Sequence, residues 1–249
     1  MLAFSSLLGN VEGQNIYRIW YDKPASYWEE ALPVGNGRIA AMVFGDPQLE
    51  QIQLNEETVS AGSPYQNYNE EAKTALPEMR RLIFEGKYEE AQNMAATKIL
   101  SQVGNEMPYQ TVGRLNIRYQ DHKKVNNYYR DLDISNAVAV TRYEVDGVEF
   151  TEETFASFTD QLVIRHIKAS KPGTINCELF FNTPMRDPKR SIYGKKGLRL
   201  EGITHGSRYF PGKVHYCADL DVKHKGGKVI TANDTLLSVQ GASELTLYI

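Results

Sequence analysis

From residue 37 onward, apolar and polar positions alternate with period two over most of the chain, the pattern of strands with one buried face. Ile39–Phe44 is a short apolar run closed by Gly45-Asp46-Pro47, which predicts a buried strand and a turn. Leu49–Leu54 places Ile52 and Leu54 on one face and Gln51 and Gln53 on the other, as its antiparallel partner would. Further strands are predicted at 115–119, 128–134, 137–145, 148–158, 161–169, 174–182, 198–202, 214–224, 228–231, 235–239 and 244–249. Asp146-Gly147 between two of these runs is the strongest hairpin signal and predicts a type I′ turn; Gly226-Gly227 reads as another turn. In 128–134 the alternation puts Asp131 and Asp133 on the exposed face. Pro184–Gly197, rich in Arg, Lys, Pro and Gly, predicts a long exposed loop.

One segment breaks the period. Asn69 caps a stretch in which Ala72, Ala75, Met79, Leu82 and Ile83 recur at helical spacing, with Pro77 expected to kink or restart the helix and Gly86 to end it. Tyr88, Ala91, Ala95 and Ile99 begin a second apolar stripe, with Glu89-Glu90 on its wet face. Many strands and two short helices predict an all-β fold, a twisted antiparallel β-sandwich of two layers (a supersandwich) with a two-helix insertion packed outside the sheets. The pattern Leu245–Ile249 runs to the last residue without a turn or polar tail, which predicts a longer parent chain.

Composition narrows the function classes. The 249 residues carry 28 Lys+Arg against 31 Asp+Glu, a formal net charge of −3, so no basic excess exists to neutralise a nucleic-acid backbone. No apolar run is long enough to span a bilayer. The 15 Tyr suit strands first and sugar stacking second. Leu2–Gly9 resembles the apolar region of a signal peptide without its basic start, which predicts a leader or disordered N-terminus over 1–16, a domain over 17–249, and a periplasmic or secreted location. Cys177 and Cys217 fit no metal spacing and are expected to be two buried free thiols, with a disulfide requiring neighbouring strands.

Catalytic patterns are scarce. There is no metalloprotease, phosphate-loop or nucleophile-elbow motif, and no cofactor fingerprint. His215 and Cys217 share a strand face, but two ligands are too few for structural zinc, so no metal is expected. The adjacent pairs Glu29-Glu30, Glu56-Glu57, Glu70-Glu71 and Glu152-Glu153 point opposite ways on a strand and are expected to be solvated. Carboxylates two apart, such as Asp131/Asp133 or Asp219/Asp221, would share a flat wet face with no opposing wall for a sugar. Two polar blocks stand out: Ala31–Arg38, a tight turn before a buried strand, and Leu54–Tyr65, a loop suited to a ligand or partner.

These blocks carry a resemblance. Trp28-x-x-Ala31-Leu32-Pro33-Val34-Gly35-Asn36-Gly37-Arg38, Met42-Val43-Phe44-Gly45 and Leu54-Asn55-Glu56-Glu57-Thr58 are similar to the N-terminal domain of glycoside hydrolase family 95, the α-L-fucosidase type. The likeness continues through Gly62-Ser63-Pro64, Arg80-x-Leu82-Ile83-x-x-Gly86-Lys87-Tyr88-x-x-Ala91, Tyr109-Gln110-x-x-Gly113-x-Leu115, Tyr129-Arg130-x-Leu132-Asp133 and Phe155-Ala156-Ser157, from about residue 17 to the end. It implies an N-terminal β-sandwich joined to a catalytic (α/α)6 barrel of the same polypeptide, which acts on a fucosylated glycan by an inverting mechanism. The barrel's catalytic positions have no counterpart here, so the resemblance implies no catalytic residue in this chain. It marks Asn55, Glu56, Glu57, Thr58 and Tyr65 as candidates to face the barrel or its pocket. Val59-Ser60 stands where the family usually carries a Trp. Two other readings compete: a stand-alone carbohydrate-binding module using Tyr65, Tyr68 and Trp28 as stacking platforms, and a purely structural scaffold.

Overall fold

The computed structural model describes residues 17–64, 66–101, 107–207 and 210–249. In chain order the strands are β1 (Arg18–Tyr21), β2 (Leu32–Gly35), β3 (Ile39–Val43), β4 (Leu49–Glu56), β5 (Gly113–Tyr119), β6 (Val125–Asp133), β7 (Val138–Val145) and β8 (Val148–Ser157). They continue as β9 (Leu162–Ala169), β10 (Ile175–Asn182), β11 (Arg186–Tyr193), β12 (Gly197–Ile203), β13 (His215–Lys225), β14 (Lys228–Asn233), β15 (Leu236–Ala242) and β16 (Glu244–Tyr248). A nine-stranded sheet in the order β1-β6-β7-β8-β9-β16-β13-β12-β11 faces a seven-stranded sheet in the order β14-β15-β10-β5-β4-β3-β2. The fold is the all-β sandwich the alternation predicts.

Period two builds the core directly. Ile52, Leu54, Leu115, Ile117, Leu179 and Leu237 face inward from the smaller sheet. Val163, Ile167, Leu200, Leu220, Leu245 and Leu247 meet them from the larger one. Two sheets stacked about 10 Å apart interdigitate such side chains into a dry layer. The Asp146-Gly147 hairpin joins β7 to β8 with Val145 opposite Val148. Both turn residues have positive φ, 49° and 71°, as a type I′ turn requires. Gly226-Gly227 is a turn of another kind: it carries the chain from β13 in the larger sheet to β14 in the smaller one.

The insertion forms helices α1 (Ala72–Phe84) and α2 (Tyr88–Met94), followed by a π turn over Ala95–Ile99. Asn69 caps as expected, its Oδ1 accepting the Glu71 N–H at 3.0 Å. The Gly86 and Lys87 N–H groups close α1 by donating to the carbonyls of Ile83 and Leu82. Pro77 does not restart the helix: α1 runs through it. The helices pack chiefly on each other, burying Ala75, Leu82 and Ala91, and leave Phe84 and Tyr88 exposed.

The structure corrects four further expectations. The basic segment 184–197 is no loop throughout, because β11 occupies its middle as the outermost strand of the larger sheet. An edge strand tolerates Pro188 and a row of cations, which also guard it against further pairing. Ala31–Arg38 contains β2, a second edge strand, with the turn confined to the residues after it. Asp131 is buried, pinned between Arg18 at 3.1 Å and Arg142 at 3.7 Å, because those side chains and the outer strand β1 cover it. Glu30 and Glu152 are buried as well, so two of the adjacent acidic pairs each send one member out of solvent.

Candidate functional site

The β3–β4 hairpin sets Ala40 opposite Asn55 and Ile39 opposite Glu56, placing the polar block at one end of the sandwich. Asn55 and Glu56 are half-buried; Glu57 and Thr58 are exposed. Tyr65 lies outside the described residues. The Glu56 carboxylate accepts from Arg38 Nε at 3.1 Å and from the Thr58 N–H at 2.8 Å. Its main-chain carbonyl accepts the Tyr109 hydroxyl at 2.8 Å. The loop beyond is stitched down: Gln110 N–H donates to Val59 O, Ala61 N–H to Pro108 O, and Gly62 N–H to His205 O. Gln110 Oε1 in turn accepts the His205 N–H. Val59, in the pair standing where a Trp is usual, is 3% exposed and belongs to the core.

A cleft of about 310 Å³ opens beside this block. Arg38, Asn55 and Glu56 line it from the smaller sheet's end, Cys217 and Asp219 from β13 of the larger sheet, and Gln161 from the turn before β9. Two carboxylates from different sheets therefore share one concavity, which the expectation of a flat wet face did not foresee. Both are held as anions. Burial pushes the Glu56 carboxyl up, but its bonds to Thr58 and Arg38 outweigh that and keep it below the usual carboxylate range. Bidentate bonds from Arg199, 2.6 Å each, hold Asp219 low. Both shifts run opposite to the upward shift that keeps a general acid protonated.

The remaining sequence candidates do not gather here. Asp221 is exposed, and Asp133 is held below the usual range chiefly by Asn136. Trp28 and Tyr68 are both exposed. Cys177 is buried in β10, whereas Cys217 is exposed on β13, so the expected pair of buried thiols is corrected to one. They are free and lie in different sheets. Among the described residues no three His, Cys, Asp or Glu side chains group as metal ligands, and no helix is long and apolar enough to cross a membrane.

A second polar group lies sealed between the sheets. Arg165 bonds Glu50 at 2.7 Å, Glu152, and the Thr154 hydroxyl at 2.7 Å, and all four residues are buried. Glu50 Oε1 also accepts the N–H groups of Phe44, Gly45 and Gln51. Glu152 Oε1 accepts the hydroxyls of Tyr119 and Tyr143 at 2.8 and 2.7 Å. His122 stacks on Tyr119 and sits 3.3 Å from the Tyr143 hydroxyl; burial pulls its pKa down. The sequence held a signal for this group. Glu50 shares the inward phase of Ile52 and Leu54, Glu152 that of Val148 and Phe150, and Arg165 that of Val163 and Ile167. Opposite charges standing in apolar phases mark a buried ion network.

The family described as "Glycosyl hydrolase family 65, N-terminal domain" matches residues 19–249. The chain is 37% identical over 181 residues to "Alpha-L-fucosidase 2" of Arabidopsis thaliana, covering 70% of this chain and 21% of that protein. It is 26% identical over 162 residues to "Probable alpha-fucosidase A" of Aspergillus niger, covering 61% and 20%. With the protein of the same name from Aspergillus oryzae it shares 25% over 211 residues, 80% and 28% of the two chains. The chain thus spans between a fifth and three-tenths of the length of these curated relatives.

Proposed function

We propose, since the chain belongs to the family of glycosyl hydrolase family 65 N-terminal domains, that it is the non-catalytic N-terminal sandwich of an inverting, family 95-type hydrolase. That enzyme releases α-L-fucose, or a related L-sugar, from glycans. What supports the substrate class is the relatives, which are α-fucosidases by name. The observation that carries the non-catalytic part is the state of the cleft: its carboxylates are both held low, Glu56 by Thr58 and Arg38 and Asp219 by Arg199. An inverting glycosidase needs one protonated and one ionised carboxyl about 6.5–9.5 Å apart across the sugar.

The same reading assigns the sandwich end a docking role. Asn55, Glu56, Glu57, Thr58 and Tyr65 face the catalytic (α/α)6 barrel of the parent polypeptide, with a leader over 1–16 directing the protein to the periplasm or outside the cell. The test compares hydrolysis of an aryl α-L-fucoside by the 249-residue chain and by the full-length parent. Turnover by the parent and none by the chain is expected. Turnover by the chain that survives repurification and disappears in Asp219→Asn or Glu56→Gln would overturn the non-catalytic assignment. Alanine at Asn55 or Glu56 in the parent should alter turnover or stability, and wild-type values for both would remove the docking role.

A further inference from the structure

The outer face of the smaller sheet carries a polar row in which Arg114 alone has side-chain partners in the sandwich. Gln53 on β4 stands opposite Arg114 on β5, and Arg114 opposite Asn182 on β10. Their chain neighbours Leu54, Leu115 and Phe181 are core residues, so these three side chains project from the opposite, outer face. Consecutive strands set them side by side at intervals of about 4.8 Å. They line a groove of about 320 Å³, the lower end of the range for ligand pockets, with Thr183 and Pro184 at its margin.

The row is open and pre-positioned. Arg114 donates from Nη1 to Gln51 Oε1 at 2.9 Å, and its guanidinium lies 5.4 Å from the centre of the Phe44 ring. Most of its five N–H donors remain uncommitted. Among the described residues the side-chain amides of Gln53 and Asn182 have no hydrogen-bond partner. Gly113 lets β5 pass close to β10 beside the groove: with φ at 142°, a Cβ there would lie 2.5 Å from the Asn182 carbonyl oxygen and 2.9 Å from Thr183 Cβ.

We propose that this groove is a binding site for a neutral, polyhydroxylated ligand, a single sugar residue of a glycan. Each amide offers a donor and an acceptor, as a hydroxyl does, while the guanidinium fork can donate to two adjacent hydroxyl oxygens. An anion such as sulfate offers only acceptors and would use the N–H donors of the row but neither amide oxygen, whereas a hydroxyl can use both. The Pro184 ring adds an apolar surface for the C–H face of a sugar. The site does not depend on the fucosidase assignment, because binding is read without hydrolysis.

The experiment titrates the ¹⁵N-labelled chain with methyl α-L-fucopyranoside, methyl β-D-galactopyranoside, methyl β-D-xylopyranoside and, separately, sodium sulfate, and follows side-chain N–H resonances. Saturable shifts at Gln53, Asn182 and Arg114 Nε with at least one glycoside are expected. Gln53→Ala and Asn182→Ala, each with an otherwise native spectrum, should weaken that binding about 3- to 10-fold. No saturable shift at tens of millimolar glycoside would overturn the site. So would shifts confined to other residues, saturation by sulfate alone, or unchanged affinity in both variants.

Discussion

Arginine–carboxylate pairing has opposite consequences in two regions of this molecule. At the sandwich end, Arg38 and Glu56 meet at 3.1 Å beside solvent, with the Arg38 side chain 58% exposed. Between the sheets, Arg165 meets Glu50 and Glu152 with all three side chains at 0–2% exposure. Distance does not separate the two; water does. An exposed pair is screened and worth little, whereas a buried one must satisfy every polar atom or charge the fold several kcal/mol for each that is left alone. The buried group recruits two tyrosine hydroxyls, a threonine and three main-chain N–H groups, and leaves Arg165 Nε without a partner. The exposed pair needs only Thr58 besides.

The contrast is sharpest at the hub. Arg165→Met leaves two buried carboxylates without their cation and should cost about 3–5 kcal/mol in urea unfolding. A loss below about 1 kcal/mol would mean that water reaches the site and would break the comparison.

A pH titration separates the two regions next. Burial pushes Glu50 up to about 7 against the pull of Arg165, from an ordinary 4.5. The folded state then binds the extra proton between those values, so this contribution is complete below pH 4.5 and is lost as pH rises to 7. It amounts to about 3 kcal/mol at most. Glu50→Gln should flatten the fall. Glu56, held low, acts in the other direction: its contribution is present above pH 4.5 and lost below it. Identical pH slopes for wild type and Glu50→Gln would show that Glu50 stays ionised throughout.

Smaller steps refine the contrast. Tyr143→Phe removes one donor to Glu152 while Tyr119 remains, and should cost about 1–2 kcal/mol. Glu56→Gln should cost only about 0.3 kcal/mol, and less in high salt, because solvent screens the pair. A cost for Glu56→Gln equal to that of Tyr143→Phe, measured in the same buffer, would make the cleft pair part of the structural frame.

How much of this was legible in the sequence follows the same division between interior and edge. Strands in the middle of the sheets, such as β5 and β10, announce themselves because both neighbours demand alternation. Of the four edge strands, β14 is legible at 228–231, but β1, β2 and β11 are not: one side is unpaired, so Pro33, Pro188 and the charges of Arg186–Arg190 are tolerated and mask the period. The inward charges were legible only as breaks in an apolar phase, since one strand's sequence does not name the partner waiting on the opposite sheet. The block Leu54–Tyr65 reads as a loop, but β4 runs on through Asn55 and Glu56, and the chain leaves the strand only at Glu57. Its cleft was not foreseen, because Gln161, Cys217 and Asp219 reach it through sheet order.

That order also governs how the chain must assemble. β16 lies between β9 and β13 and is the sole link joining β1-β6-β7-β8-β9 to β13-β12-β11. On a ribosome, every other strand of the larger sheet emerges before Glu244–Tyr248, so β9 and β13 wait with unpaired edges while synthesis continues. A nascent chain in that interval carries two open sheet fragments, each a template for a neighbouring chain. Chaperone demand and aggregation during synthesis should therefore concentrate in the short time before these five residues are released.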